Sequence, residues 1–462
     1  MAMKKFLVCI LFLLPLSLMA QEVAGTWSGK LEVGGQSLRI VFHLTPYADG
    51  WQATMDSPDQ GATGIPVDSV AVSPMGVTLT VSPLKMTYTG GFMGKDNLIG
   101  ALTQHGQQLS LMLTHGAVEP LRRPQEPVKP YPYREEEFAF VSRDEALPLQ
   151  GTLTIPQGEG PFPALILISG SGTQNRDLEL KGHKSFLVLA DRLTRAGYAV
   201  LRFDDRGYGA SPEEQQRLQY TTTDHYVLDA LGAFDALRKH SAIDASKVGI
   251  CGHSEGGAIG VMALAEEPEL PYVVSLAGMM VSGAELMVTQ NRATMTVQGV
   301  PQEVTDSYCR ALERLYAKWF DETPNELTAD VDRLVAEVTV GETLSAALLE
   351  NLKKVAKWAQ NPWFYRFVRM NPLEGAAKIG DRPIFAVNGT KDIQVDAEAN
   401  LGRLEALQKP TITTRRFEGL NHMLQPCTTG AVAEYGQIET TIDEQLMADL
   451  VAWLHENISI TK

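Results

Sequence analysis

The chain has 462 residues, of which 44% are hydrophobic and 21% are charged. This composition excludes a chain that is mainly disordered, collagen-like or coiled coil, and the length predicts two or three globular domains. Lys and Arg total 40 against 55 Asp and Glu, which gives a net charge of −15. Because phosphate binding needs clustered basic residues, this charge argues against a nucleic-acid partner and favours small or neutral substrates.

The first twenty residues have the layout of an export signal. Two lysines at positions 4–5 precede an apolar run over residues 6–14, and a small residue stands before a cleavage site at Gln21. The apolar run is shorter than the roughly 20 residues that span a bilayer, which favours cleavage over an uncleaved membrane anchor. We expect residues 1–20 to be removed, the mature chain to be periplasmic or secreted, and no integral membrane segment to remain.

The cysteines and histidines predict neither a disulfide framework nor a metal site. Removal of the signal leaves three scattered cysteines, Cys251, Cys309 and Cys427. Cys251 falls in an apolar strand and is expected to be an inert core thiol, while a bridge between Cys309 and Cys427 stays open. No tight ligand spacing is present, so we expect no metal and no cofactor.

Residues 22–122 show short alternating apolar runs about ten residues apart, separated by Gly, Pro, Asp and Asn. The predicted strands are residues 26–33, 38–44, 51–55, 67–72, 77–81, 86–92, 98–102 and 109–113. This spacing indicates an antiparallel β-barrel or sandwich. We favour an accessory or packing role for this domain, and a ligand- or glycan-binding module is the alternative.

A proline-rich segment separates this domain from the rest of the chain. Residues 123–133 contain four prolines, which predicts a stiff, extended linker and places the domain boundary here. Strands and helices then alternate over residues 134–462. The predicted strands are 164–168, 198–203, 248–251, 272–276, 383–387 and 411–417, and the predicted helices are 185–196, 225–238, 258–265 and 442–454.

This alternation predicts a mostly parallel sheet with helices on both faces. The run at residues 164–168 is continuously apolar, as expected for a strand that is buried on both faces. Residues 284–378 break the alternation, since they are rich in helical patterns and aromatic side chains. We expect them to form a helical cap inserted over one end of the sheet.

The sequence Gly252-His253-Ser254-Glu255-Gly256 follows a predicted strand and precedes a predicted helix. A serine in such a turn has a strained backbone, and the residues two before and two after it must be very small. The turn exposes the serine hydroxyl above the sheet and at the N-terminus of a helix. Ser254 is therefore the predicted nucleophile.

A serine nucleophile needs a base and an acid, which in this architecture follow later strands. Asp392 stands in the loop after the strand 383–387, and His422 stands in the loop after the strand 411–417. We expect His422 to take the proton of Ser254 and Asp392 to orient the imidazole. Asp396 is the rival acid, but we expect it to lie on the surface and to open the next helix.

An oxyanion hole requires two backbone N–H groups directed at the developing negative charge. We expect the first from Glu255, the residue after the nucleophile. The second should come from the small-residue loop at 169–172, with Ser171 as the first choice and Gly172 as the alternative.

Several motifs after the proline-rich segment occur together in one known family. They are SGSGTQNRD (169–177), FLVLADRL (186–193), LRFDDRGYGAS (201–211), TTTDHYVLDA (221–230), GHSEGG (252–257), LAGMM (276–280), NGTKD (388–392) and GLNH (419–422). From residue 136 to the C-terminus the chain resembles the bacterial α/β-hydrolases, specifically exported serine esterases with a helical cap. The resemblance implies a carboxylic-ester hydrolase with a Ser-His-Asp triad on the residues already named and no cofactor. One departure is Ser169-Gly170, where many relatives have His-Gly.

The sequence therefore predicts an exported serine hydrolase that cleaves a small carboxylic ester through an acyl-enzyme. Peptide cleavage, thioester hydrolysis and acyl transfer on the same triad are the alternatives, because pocket shape selects the leaving group. No acidic pair that would mark an aminopeptidase site stands out. The aromatic residues of the predicted cap favour an apolar acyl or aryl pocket.

Overall fold

The computed structural model describes residues 23–33, 36–48, 50–60, 62–116, 123–144, 146–209 and 218–458. The predicted export signal at residues 1–20 lies outside the described residues. The chain divides into two compact units, residues 1–122 and residues 123–462. Across the described segments, no helix combines the length and the apolar character needed to cross a membrane.

The first unit is one antiparallel sheet of nine strands in its described part. The strands are β1 (Gly25–Val33), β2 (Gln36–Tyr47), β3 (Gly50–Ser57), β4 (Ala62–Pro66), β5 (Ser69–Ser73), β6 (Gly76–Val81), β7 (Met86–Met93), β8 (Asn97–Gln104) and β9 (Gln107–His115). Their order is β4-β3-β2-β1-β9-β8-β7-β6-β5. Trp27, Phe42 and Tyr88 are fully buried in its core, so side chains of the protein itself occupy this interior.

The sheet curls until its two ends approach each other. The Val67 N–H donates to Ala53 O on β3, and the Asp68 N–H donates to Thr80 O on β6. The prediction of an antiparallel β domain is thus confirmed. The domain is one strongly curled sheet, which is intermediate between the closed barrel and the two-sheet sandwich that the sequence allowed. The sequence pattern missed β4, whose residues are mostly half-buried or exposed and do not alternate.

The second unit is built on an eight-stranded sheet flanked by helices. Its strands lie in the order β10-β11-β15-β12-β16-β17-β18-β19. They are β10 (Arg134–Val141), β11 (Pro148–Ile155), β12 (Phe162–Ile168), β15 (Ala199–Phe203), β16 (Ile243–His253), β17 (Val273–Leu276), β18 (Ile384–Gly389) and β19 (Ile412–Phe417), and a separate hairpin holds β13 (Glu179–Leu180) and β14 (His183–Lys184). In this order the strands from β15 to β19 are parallel, and β11 is antiparallel to both of its neighbours, β10 and β15.

Helices cover both faces of this sheet, because both faces of its central strands are apolar. On β12, Ile166 and Ile168 face one core, whereas Leu165 and Leu167 face the other. The described helices are α1 (Ser185–Arg195), α2 (Thr223–Leu237), α3 (Glu255–Glu266), α4 (Gly283–Val297), α5 (Gln302–Asp321), α6 (Pro324–Ala329), α7 (Val331–Val338), α8 (Ala346–Lys357), α9 (Pro362–Arg369), α10 (Pro372–Lys378), α11 (Ala397–Glu405) and α12 (Glu444–Asn457). The predicted α/β-hydrolase sheet is confirmed.

Helices α4 to α10 lie between β17 and β18 in the chain and correspond to the predicted insertion at residues 284–378. They have a core of their own, in which Tyr316, Trp319 and Phe364 are buried and pack ring edge against ring face. The inserted helices therefore form a packed subdomain rather than a long loop.

The start of the predicted linker is bound to the second unit. The Arg123 guanidinium donates to the carbonyl oxygens of Gly182 and Ile438, both at 2.9 Å. The Gln125 side chain donates to Ile442 O at 2.7 Å and accepts from the N–H of the same residue at 3.0 Å. Residues 123–125 thus belong structurally to the unit that holds the candidate site.

Candidate active site

Ser254 lies in a sharp turn between β16 and α3. Its φ is 57° and its ψ is −122°, a strained conformation for a residue with a side chain. A Cβ at Gly252 would lie 1.9 Å from Gly256 O, and a Cβ at Gly256 would lie 2.2 Å from Ile168 O. The two glycines are therefore required by space, as the sequence argument expected, and the turn presents Ser254 at the carboxyl end of the sheet.

The loops after β18 and β19 bring Asp392 and His422 to this serine. His422 Nδ1 donates to Asp392 Oδ2 at 2.8 Å, and His422 Nε2 accepts from Ser254 Oγ at 3.0 Å. Both the carboxylate and the imidazole are buried. Because a carboxylate only accepts hydrogen bonds, Asp392 fixes the tautomer that leaves Nε2 free to take a proton.

Asp392 is itself held by the backbone. Its Oδ1 accepts from the N–H groups of Gln394 and Val395, both at 2.8 Å. Asp396, the rival acid, instead caps α11 by accepting from Ala399 N–H at 2.7 Å. The structure thus joins Asp392, and not Asp396, to the imidazole.

The predicted oxyanion loop packs directly against the serine. A Cβ at Gly170 would lie 2.9 Å from Ser254 Cβ. Ser171 and Glu255 both line the cavity in front of Ser254, whereas Gly172 lies in the turn beyond with a φ of 90°. This placement favours Ser171 over Gly172 as the second donor.

Two buried carboxylates hold this loop. Asp205 accepts from Ser169 Oγ at 2.6 Å and from Gln174 N–H at 2.9 Å, and Glu255 accepts from Ser171 Oγ at 2.7 Å. Burial raises the pKa of Asp205 to about 7 and also raises the pKa of Glu255. The sequence predicted a role for the backbone N–H of Glu255 and none for its side chain.

His253 supports the loop that carries the imidazole. Its Nε2–H donates to His422 O at 2.9 Å, and the two rings lie 4.9 Å apart. Burial lowers the pKa of His253 to about 3, so this ring is neutral at ordinary pH. Its Nδ1 is buried and has no hydrogen-bond partner among the described residues, which costs about 1–3 kcal/mol.

A cavity of about 440 Å³ opens in front of Ser254. Its walls combine the loop after β12, the inserted helices and the loops after β18 and β19. The lining is largely apolar, and its apolar members are Leu178, Leu180, Met279, Leu286, Met287, Trp358, Trp363, Phe364, Phe367, Val395 and Met423. The polar members other than Ser171, Ser254, Glu255 and the two histidines are Gln174, Gln290, Asn361 and Gln394.

The described residues contain no group of three or more His, Cys, Asp or Glu side chains arranged to hold a metal ion. Cys251, Cys309 and Cys427 are free thiols, and Cys251 is buried in the sheet core. His240 pairs with Glu136, away from the serine. Cys251 therefore lies in the core, as its apolar strand predicted.

The mostly parallel sheet, the strained serine turn and the acid and histidine loops define the class: this is an α/β-hydrolase. Residues 183–425 match the family described as serine aminopeptidase, S33, and the chain belongs to that family. The matched range includes Ser254, Asp392 and His422.

The individual proteins that resemble this chain share low sequence identity with it. The esterase EstD of Thermotoga maritima is 26% identical over 310 residues, which cover 66% of this chain and 65% of EstD, slightly less than two thirds of that protein. The 2,6-dihydropseudooxynicotine hydrolase of Paenarthrobacter nicotinovorans is 30% identical over 135 residues, 29% of this chain and 33% of that one. A solved esterase structure from Pyrococcus furiosus is 14% identical with a TM-score of 0.42, and the match covers 74% of this chain and 100% of that one.

Proposed function

We propose that the protein is an exported serine esterase that cleaves a neutral carboxylic ester through an acyl-enzyme. The observation that carries this proposal is the continuous hydrogen-bonded series from Ser254 through His422 to Asp392. The similarity to the esterase EstD supports the ester as the substrate class. The predicted signal at residues 1–20 supports export.

In the proposed reaction the Ser254 oxygen attacks the ester carbonyl while His422 Nε2 takes the hydroxyl proton. The negative oxygen of the tetrahedral intermediate accepts hydrogen bonds from the N–H groups of Glu255 and Ser171. The imidazolium returns the proton to the leaving alcohol, and Asp392 stabilises the positive ring throughout. A water molecule, activated by the same imidazole, then releases the acid.

The charges around the cavity favour a neutral substrate over a peptide with a free amino terminus. Among the described residues that line it, the acidic side chain is Glu255, and three protein donors already bind its carboxylate. An ammonium group would therefore lose water without gaining a free carboxylate, which is costly in an apolar cavity. Aminopeptidase activity is nevertheless the second candidate, because the family description names it.

We further propose that helices α4 to α10 act as a cap that shapes the acyl pocket. Trp363, Phe364 and Phe367 on α9 and Leu286 and Met287 on α4 all line the cavity. These side chains present an apolar wall to one side of the reacting serine. Apolar acyl or aryl groups are accordingly the expected specificity.

The test is hydrolysis of p-nitrophenyl esters from acetate to long acyl chains, with aminoacyl p-nitroanilides measured beside them. We expect ester turnover that Ser254→Ala and His422→Ala both abolish, and covalent labelling of Ser254 by a fluorophosphonate. Turnover of anilides without esters would favour the aminopeptidase. Absence of turnover and of labelling would contradict the hydrolytic role of Ser254. N-terminal sequencing of protein recovered outside the cytoplasm tests cleavage before Gln21.

A further inference from the structure

One buried carboxylate joins three parts of the site that are far apart in sequence. The Glu255 side chain accepts from Thr223 Oγ1 at 2.7 Å, from Ser171 Oγ at 2.7 Å and from Trp363 Nε1 at 3.1 Å. Thr223 begins α2, Ser171 belongs to the oxyanion loop, and Trp363 lies on α9. Only 2% of Glu255 is exposed. These three donors compensate the cost of burying the charge.

The shared carboxylate connects the cavity wall to both predicted oxyanion donors. The first donor is the N–H of Glu255 itself, and the second is the N–H of Ser171. The Ser171 hydroxyl and the Trp363 indole both approach Glu255 Oε2, at 2.7 and 3.3 Å. A displacement of the indole is therefore transmitted through one side chain to both N–H groups.

We propose that Glu255 is a positioning residue for the oxyanion hole and that Trp363 is the specificity-determining residue that acts through it. A substrate whose apolar acyl group packs against the Trp363 ring fixes the indole, the carboxylate and the Ser171 hydroxyl in one arrangement. This inference rests on the proposed esterase function. It identifies the preferred substrate class as esters whose acyl group reaches α9.

A link from Trp363 to the oxyanion hole should be visible in how acyl length affects kcat and KM. Interactions that act only on the transition state change kcat, whereas uniform binding of the acyl chain changes KM. If Trp363 were only an apolar wall, acyl length would act through KM. Because the indole is tied to the oxyanion hole, acyl length should act on kcat.

A double-mutant cycle tests this claim. Ser171→Ala removes the hydroxyl and keeps the backbone N–H, and Trp363→Phe removes the indole N–H and keeps an aromatic ring. The readout is the ratio of kcat for p-nitrophenyl octanoate to kcat for p-nitrophenyl acetate. We expect Trp363→Phe to lower this ratio by about tenfold, and the double variant to lose far less than the product of the two single effects.

Trp358→Phe is the matched control. Trp358 lines the same cavity and is 53% exposed, and its ring packs against Phe364 rather than bonding to Glu255. In a double variant with Ser171→Ala, the effects of the two substitutions on kcat for octanoate should multiply, because Trp358 is not bonded to Glu255. If Trp363→Phe does not fold, Glu255→Gln, which keeps the shape and one acceptor oxygen, should lower the same ratio.

The outcomes separate the two proposals. Wild-type protein that neither turns over esters nor reacts with a fluorophosphonate at Ser254 would contradict the esterase proposal, and this inference would fall with it. Wild-type turnover with an unchanged octanoate-to-acetate ratio in Trp363→Phe, or with fully multiplicative effects in the cycle, would overturn this inference alone.

Discussion

The two sides of the Ser254 hydroxyl are held in different ways. On the acid–base side, Asp392 is fixed by backbone N–H groups two and three residues later in the same loop. On the oxyanion side, Ser171 is held by a carboxylate 84 residues later, and that carboxylate is bound by an indole a further 108 residues along. The support of Asp392 is local in sequence, whereas the support of Ser171 depends on the assembly of the whole unit.

This difference indicates where a substrate can influence catalysis. The N–H groups that hold Asp392 belong to its own loop, and none of them is on α9. The oxyanion side includes Trp363, which lines the cavity. Loss of the acid–base side is expected to have the largest effect on turnover.

Asp392→Asn should disable the acid–base side of the site. The amide cannot hold the His422 tautomer whose Nε2 faces Ser254, so we expect kcat to fall by about 10³–10⁴-fold. Asp396→Asn is the matched control, since Asp396 caps α11 and has no contact with the imidazole. Its kcat should match the wild type. Equal loss in both variants would contradict the assignment of the acid.

Gly256→Ala should disturb the acid–base side and the oxyanion side together. The added Cβ would lie 2.2 Å from Ile168 O, so the serine turn must shift, and we expect kcat to fall by about 100-fold or more together with a lower Tm. Gly402→Ala, on α11, meets no atom within 4 Å and should raise the free energy of unfolding by about 0.5–1 kcal/mol. Retention of normal activity in Gly256→Ala would show that the turn is less constrained than the structure indicates.

The serine turn also shows why part of the site was predictable. The small residues at 252 and 256 and the order of Ser254, Asp392 and His422 follow from backbone geometry at strand ends, which leaves a signature in the sequence. The Glu255–Trp363 hydrogen bond has no such signature, because it joins residues that only the folded chain brings together. The aromatic content of the insertion indicated a cap and an apolar pocket without identifying which ring would bind the site.

The sequence pattern also missed the edge strand β10, for a related reason. The apolar run of β12 is recognisable because both of its faces are buried. The strand β10 begins with Arg134 and three glutamates and lies at the sheet edge, where its exposed positions permit charge. Its pairing with β11 is determined by tertiary structure rather than by its own composition.

Asp205→Asn tests the oxyanion side through stability. Burial raises the pKa of Asp205 from 3.8 to about 7, and the nearby carboxylates of Asp229 and Glu255 act in the same direction. Between about pH 4 and pH 7 the folded protein therefore binds more protons at this site than the unfolded chain does. The stabilising contribution is complete below about pH 4 and is lost as the pH rises to about 7.

The measurement is the Tm of the wild type and of Asp205→Asn at pH 5 and at pH 8. We expect the wild type to lose more stability between these two values than the variant, whose amide does not titrate. Ser169→Ala is the control, because it removes one donor to Asp205 and leaves the titrating group in place. An identical pH dependence in wild type and Asp205→Asn would show that this carboxyl titrates normally in the folded protein.

The smallest expected effect concerns the outer support of the acid–base side. Arg123 donates to carbonyl oxygens of Gly436 and Ile438, and the neighbouring Tyr435 hydroxyl accepts from the Gln394 side chain. Gln394 in turn donates its N–H to Asp392. Arg123→Ala should therefore lower the free energy of unfolding by about 2 kcal/mol, as expected for lost charged hydrogen bonds, and reduce kcat only a few-fold.

Lys129→Ala separates this effect from the general loss of a charge in the proline-rich segment. Lys129 forms an exposed ion pair with Glu135, which should contribute little to stability because solvent screens it. Urea unfolding of the full chain, followed by intrinsic fluorescence, compares the two variants. If Arg123→Ala is as stable as Lys129→Ala, the segment is only a connection; if it is less stable, residues 123–125 are part of the support that keeps the acid–base side rigid.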